Sequence, residues 1–390
     1  MQENFNVSRK VSILAWLLII LGVVALITGF VFDPARAWTS ILINNFYFLS
    51  LALGALFFIA IQYVTESGWS AMFKRVPGAM AFFIPVAFII MLALFGGMQH
   101  IYEWAESGIA ERDELIAHKL PYLNIPFFYI RVVVLFGLWI VLLFTMRRLS
   151  LREDNAEDDE GRIKWFNKNK HYSRIFIFVF ALTFSVAAFD WIMSVDSHWF
   201  SALFGIRAII SSLYYAVAVI ILIITGLSRY GYFENMNRYH MNDFARYMFR
   251  LSIVWGYLWF MQYLIIWYAN IPETTFYYVY RVNEPYTGLF YINLIINWLI
   301  PFIVLMPDGF ARKKQVLVPV SILLLAGFYI SLFLQVVPGS TGISAPGFIE
   351  LGSFAGFAGG FILVVMRSLS AAPLIPLNHP YLKESIDHHL

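Results

Sequence analysis

The stretch VSILAWLLIILGVVALITGFVF, residues 11–32, carries no charged side chain, no amide side chain and no histidine. At helical rise it covers about 33 Å, close to the hydrocarbon thickness of a bilayer. Backbone groups in hydrocarbon must find their partners within the segment, so a run of this kind is a helix. It is too long for the core of a signal peptide and has no small-residue cleavage site, which makes it a retained first span. Nine further runs follow, at 40–64, 78–101, 126–146, 174–196, 204–227, 247–270, 286–306, 316–336 and 347–368. The short alternating strands of a membrane barrel do not occur. The expected fold is an all-α, polytopic membrane protein of ten transmembrane helices, and no loop is long enough for a soluble domain, so residues 1–390 form one membrane domain.

Composition agrees with a lipid solvent. Hydrophobic residues make up 60% of the 390, aromatic residues 18% and charged residues 13%, more apolar than a water-soluble domain can bury. The net charge of +3 carries no nucleic-acid signal, because the cations are segregated into the connections. With ten spans and a cytoplasmic N-terminus, 21 of the 27 Lys and Arg fall on the cytoplasmic side. The exceptions are Arg36, Arg112, Lys119, Arg131, Arg207 and Arg281. That distribution predicts both termini inside. Residues 147–174, acidic in the middle with basic shoulders, read as a solvated inner loop, and residues 103–124 as an amphipathic segment on the outer surface.

Polar groups within spans are costly and mark candidate sites. Asn44, Asn45, His100, Arg131, Asp190, Arg207, Gln262, Asn293 and Glu350 all fall toward the outer ends of their spans, while the inner halves read as nearly free of ionisable groups. FDWIMSVDSHWF, residues 189–200, places Asp190, Asp196 and His198 near one outer helix end, where carboxylate and imidazole can accept and pass on protons. The plainer alternative is that Asp190 neutralises Arg131 or Arg207 and that His198 is an interfacial residue. GGMQHIYEW, residues 96–104, sets His100 and Glu103 on one helix face, although a histidine at a span end is commonly just hydrogen-bonded. WGYLWFMQYLIIWYANIPE, residues 255–273, repeats Trp255, Trp259 and Gln262 on one face. An aromatic wall with an amide suits a quinone ring, while the interfacial aromatic belt accounts for Trp267 and Tyr268. Asn293 and Asn297, one turn apart and followed by Pro301, suit helix-to-helix hydrogen bonding.

The sequence has no cysteine, so it offers no thiolates for an iron–sulfur cluster and no attachment for c-type haem. Its eight histidines lie at span ends, in loops or in the tail, which argues against intramembrane haem, and no metal-ligand spacing is present.

These motifs, with HPYLKESIDHH at residues 379–389, resemble the NrfD/PsrC-like membrane subunits, and among them the second such subunit of alternative complex III, the ActF type. The resemblance runs through most of the chain. It implies two four-helix bundles, about 40–196 and 204–336, with peripheral helices at 11–32 and 347–368, in a bacterial cytoplasmic (inner) membrane. It also implies a quinol:cytochrome c oxidoreductase in which menaquinol is oxidised. The implied partners are a sibling NrfD-like subunit (ActC-like), a periplasmic iron–sulfur subunit, c-type cytochrome subunits and a haem–copper terminal oxidase, with membrane lipid and no nucleic acid. Asp190, Asp196 and His198 carry over as proton-transfer candidates, and His100, Glu103, Gln262, Trp255 and Arg131 as candidates for a quinone or outer polar pocket. Arg207 departs from the family pattern, where an uncharged residue is expected after FSALFGI, and is read as a second neutraliser of Asp190. Two other readings stand beside this one. One is a scaffold that contacts the sibling subunit and an oxidase and does no chemistry. The other is a secondary transporter with broken helices at Pro85 and Pro301.

Overall fold

Ten helices in the computed structural model, which describes residue 5 and residues 7–389, are long and apolar enough to cross a membrane, and the described residues contain no strand. They are α1 (Arg9–Phe32), α2 (Pro34–Val64), α3 (Arg75–Ile101), α4 (Ile125–Asp154), α5 (Asp159–Val195), α6 (Leu203–Ser228), α7 (Arg238–Ala269), α8 (Thr287–Leu305), α9 (Lys314–Gly339) and α10 (Phe348–Ser370). Each overlaps one of the ten apolar runs, and several extend well beyond it.

The extensions have a local cause. Helix starts are fixed by polar caps outside the apolar runs: Asp33 accepts from Arg36 N ahead of Pro34, Asn124 from Phe127 N, Asp158 from Gly161 N, and Asn237 from the amides of Tyr239 and His240. Hydropathy registers where the hydrocarbon stops, whereas the cap registers where the helix starts. The expected solvated loop at 147–174 is accordingly corrected, because α4 and α5 continue through it and leave residues 155–158 as the connection.

Helix α2 lies at the centre. Of its apolar window 78% is buried, against 17% for α1, and it packs against α3, α5, α6, α9 and α10. Its approach to α6 depends on Gly54, where a Cβ would sit 2.0 Å from the Ser212 carbonyl oxygen. Helices α1 and α10 pair through Gly22 and Gly356, where a Cβ on Gly22 would fall 2.4 Å from the facing Cα. Two helices are irregular within the span rather than only at an end. In α3 the α-helical turns break at Phe82 and Phe83, just before Pro85, and α8 takes a π-helical turn at Ile295–Leu299 just before Pro301. That turn aims the buried Asn297 at α6 and α9, where it accepts from the Tyr215 hydroxyl at 2.9 Å and donates to Gly327 O at 3.1 Å.

Candidate functional site

At the helix ends that carry Asp190, four cationic or imidazole side chains each hold a different partner. Arg131 on α4 donates from Nε to Asp190 Oδ2 on α5 at 2.5 Å and from Nη1 to Tyr122 O at 2.9 Å. The Tyr122 and Phe127 rings cover its guanidinium at 4.0 and 4.5 Å. Asp190 is buried, and its Oδ1 accepts no hydrogen bond of ordinary geometry, with the Tyr122 hydroxyl beside it; Arg131 Nη2 also lacks an acceptor. The pair is therefore held at one oxygen and one nitrogen.

Asp196 is engaged elsewhere. Arg281 donates from Nη2 to its Oδ2 at 2.6 Å, and fixes itself by donating to the carbonyls of Leu334, Tyr277 and Gln335. The Tyr277 ring is sandwiched between this guanidinium, at 3.5 Å, and the Trp199 ring, at 3.8 Å. His198 faces outward, its Nε2 2.6 Å from Asp113 Oδ2 in the connection between α3 and α4. The Ile116 amide, with His198 adding to it, holds the Asp113 carboxyl below its usual range. The three residues grouped by spacing at 190, 196 and 198 thus belong to three separate pairs. Sequence reading missed Arg281 and Asp113 as partners, because each lies 85 residues from the residue it holds.

Arg207 is the fourth case, and it corrects the expectation that it neutralises Asp190. It is 7% exposed, and among the described residues no carboxylate oxygen lies within 4.0 Å of it. It donates instead from Nη1 to Gln262 Oε1 on α7 at 2.8 Å, with the Tyr277 side chain next to it. Gln262 is buried, and its Nε2 has no acceptor; the buried Tyr278 hydroxyl likewise has no partner. Trp259, Tyr263, Tyr278 and Phe290 form an aromatic cluster with neighbouring ring centroids 5.1 to 6.5 Å apart, and Tyr278 lies within electrostatic reach of Arg207. Trp255 is buried one face-repeat below, whereas Trp267 and Tyr268 are exposed, as an interfacial belt requires. His100 and Glu103 are exposed at the end of α3 and join none of these groups. Glu350 accepts two hydrogen bonds from Arg36, at 2.8 and 2.9 Å, and Asn44 donates to Ser353 Oγ at 2.9 Å, so these polar groups tie α2 to α10.

The opposite helix ends hold buried ionisable groups too, just beyond the apolar runs whose inner halves read as nearly free of them. Glu153, read as part of a solvated loop, is fully buried near the end of α4. Lys74 Nζ donates to its Oε1 at 3.0 Å and the Tyr63 hydroxyl to its Oε2 at 3.1 Å. The neighbouring Asp154 pairs with the buried Arg75. The tail closes over them: Asn378 donates to Asp154 O at 2.7 Å, His379 Nε2 lies 3.8 Å from Glu153 Oε1, and Ser385 Oγ donates to Trp69 O at 2.8 Å. No spacing signal could have joined residues 63, 74, 153 and 379; the clue was only that Glu153 and Asp154 follow the apolar run directly in helical register.

Burial, reinforced by Lys74 and Arg75, pushes the His379 imidazole well below its usual 6.5. The folded chain then stays neutral at His379 while the unfolded chain takes up a proton below pH 6.5, so this group's contribution to stability is lost as pH falls. We expect a His379→Gln variant to lose less stability than the wild type between pH 7 and pH 5, the slopes differing by about 1.4 kcal/mol per pH unit at most. Parallel unfolding curves across that range would show that His379 does not stay neutral.

The chain matches no model of a known protein family, and no curated protein matches it either.

Proposed function

We propose that this chain is an NrfD-like, ActF-type membrane subunit of a quinol:cytochrome c oxidoreductase, with Arg207, Gln262 and the aromatic cluster that includes Tyr278 holding the quinone ring. In this reading both termini lie in the cytoplasm of a bacterial inner membrane, α2–α5 and α6–α9 form the two four-helix bundles, and the Asp190 end faces the periplasm. Support for the topology comes from the Lys and Arg distribution, and support for the family from the four quoted motifs. The partners would be those of that complex: the ActC-like sibling, iron–sulfur and c-type cytochrome subunits, and a terminal oxidase.

The observation that carries the proposal is Arg207. A buried guanidinium without a counter-ion, beside an amide nitrogen and a phenol that also lack partners, is expensive unless something fills their hydrogen bonds. A quinone carbonyl oxygen does so without adding charge, and its ring is the shape that Trp259, Tyr263 and Phe290 suit. Menaquinone, when bound, supplies two-electron, two-proton chemistry. The chain's own part is to orient the ring, donate from Gln262 Nε2, Arg207 and the Tyr278 hydroxyl, and exclude water. Asp196 and the Asp113–His198 pair stand at the surface end, reached through Tyr277 and Arg281, where released protons can be accepted.

Replacing Gln262 with Leu removes the amide while keeping the volume. In the purified assembly, quinol:cytochrome c turnover per c-type haem should fall about 10- to 100-fold, the effect of one to two hydrogen bonds to a charged or polar group. Unchanged turnover would remove the quinone pocket. A purified assembly without a c-type haem spectrum would remove the complex itself.

A further inference from the structure

Beside the Glu153 network, α4 and α10 present arginines that no acid neutralises. Glu153 is taken by Lys74 and Asp154 by Arg75. The adjoining acidic tract serves the start of α5, where Asp158 caps Gly161 and Asp159 pairs with Arg162 at 2.9 Å. Among the described residues, Arg147, Arg148, Arg152 and Arg367 have no carboxylate oxygen within 4.0 Å. All four line one cleft of about 770 Å³, whose remaining wall is mostly apolar, with Phe82 on α3, Phe144 on α4 and Val364 on α10, and whose polar members are Asn155 and Ser368. Arg147 faces the Phe82 ring at 5.9 Å. A second cleft, of about 720 Å³, shares Arg148 and Arg152 and is the more polar of the two: it adds Lys164, Lys168, Asn167 and His171, with Leu149 and Tyr172 as its apolar part.

We infer that these clefts bind an anionic phospholipid, its phosphate on the arginines and its acyl chains on the apolar walls. The combination selects the ligand. A free anion would satisfy the guanidinium groups but leave Phe144, which is 49% exposed, and its neighbours open; an acidic peptide would have to bury backbone where apolar helix faces form the walls. A phospholipid brings the negative group and the hydrocarbon at the spacing that a helix end imposes, and basic pockets between helix ends are suited to such headgroups. Planar guanidinium groups grip phosphate oxygens in pairs. Because the two clefts share two arginines, a lipid with two phosphodiesters and four acyl chains, of the cardiolipin type, occupies both at once and binds more tightly than phosphatidylglycerol. This site lies at the opposite helix ends from Arg207 and does not depend on the quinone reading.

The test uses the full chain purified in detergent, first by native mass spectrometry and then, after delipidation, by thermal unfolding with added cardiolipin, phosphatidylglycerol, phosphatidylcholine or inorganic phosphate. The wild type should retain anionic lipid and be stabilised in the order cardiolipin, phosphatidylglycerol, phosphatidylcholine. In Arg148→Gln/Arg152→Gln/Arg367→Gln, cardiolipin binding should weaken by about 100-fold, the loss of three interfacial charges. The charge-keeping Arg148→Lys/Arg152→Lys/Arg367→Lys gives up the paired grip but keeps the charge, and should bind more weakly than the wild type and more tightly than the Gln variant. Equal retention of phosphatidylcholine by the wild type, or unchanged cardiolipin binding by the Gln variant, overturns the inference. Full stabilisation by inorganic phosphate alone overturns it in favour of a simple anion site.

Discussion

A Glu153→Ala variant should lose about 3–5 kcal/mol of unfolding free energy, the cost of stranding one member of a buried ion pair. Glu153 is 0% exposed and Lys74 9%, and the Tyr63 hydroxyl is their other close partner. Once the carboxylate is gone, Lys74 can escape only by giving up its proton. Burial already pushes it down to about 8 against the pull of Glu153. Deprotonating an ordinary lysine at pH 7 costs about 5 kcal/mol, which sets the ceiling on the loss. A Glu153→Leu/Lys74→Met double variant removes both charges and should recover most of the stability, since buried pairs are often no better than apolar packing of similar volume. Denaturant unfolding in mixed micelles measures all three. A single variant that loses less than about 1 kcal/mol would mean that water reaches this site freely. Because the network also anchors the tail, Glu153→Ala should expose residues 377–389 to proteolysis, and the double variant should retain part of that exposure, the contact from His379 being lost in both.

What the sequence conveyed, and what it did not, follows from the range of each signal. Length and hydropathy act within one segment, so all ten helices were legible from their apolar runs. Caps act over three residues, and the ends they set at Asp158 and Asn237 were passed over in favour of the apolar boundary. Pairing acts across the fold. Asp190 with Arg131 was one of two alternatives read from depth, and the two residues meet; Arg207 was given to the wrong partner, because depth along a span says nothing of which way the side chain turns around it. The aromatic face of α7 was legible as a period, with Trp255 and Gln262 both buried, but the unpaired charge that Gln262 holds was not. The buried network under the tail was missed altogether. Polar residues next to a span end look solvated in one dimension, and only the tail folding back over them takes them out of water.

The same distinction between a charge that is merely neutralised and a charge that works decides the role of Asp190. Asp190→Leu alone and Arg131→Met alone should each destabilise by about 3–5 kcal/mol, since each strands a buried partner. Combined, the two changes leave no unpaired charge, and stability should return to within about 1 kcal/mol of the wild type. If neutralisation were the whole purpose of the pair, the quinol turnover proposed for the assembly would return with it. We expect that it does not. Asp190 engages Arg131 through one oxygen only, with the Tyr122 hydroxyl beside the carboxylate, and Arg131 keeps Nη2 without an acceptor, an arrangement that a purely structural pair would close with a second contact between the two. A carboxylate oxygen that the arginine does not hold, beside the Tyr122 hydroxyl, can take a proton and give it up again to restore the pair. The double variant should therefore fold and assemble yet turn over about 100-fold more slowly, the usual range for loss of a positioned proton acceptor. Recovery of turnover together with stability would make Asp190 a counter-ion and nothing more, and the proposed proton route would then be left with Asp196 and His198 alone.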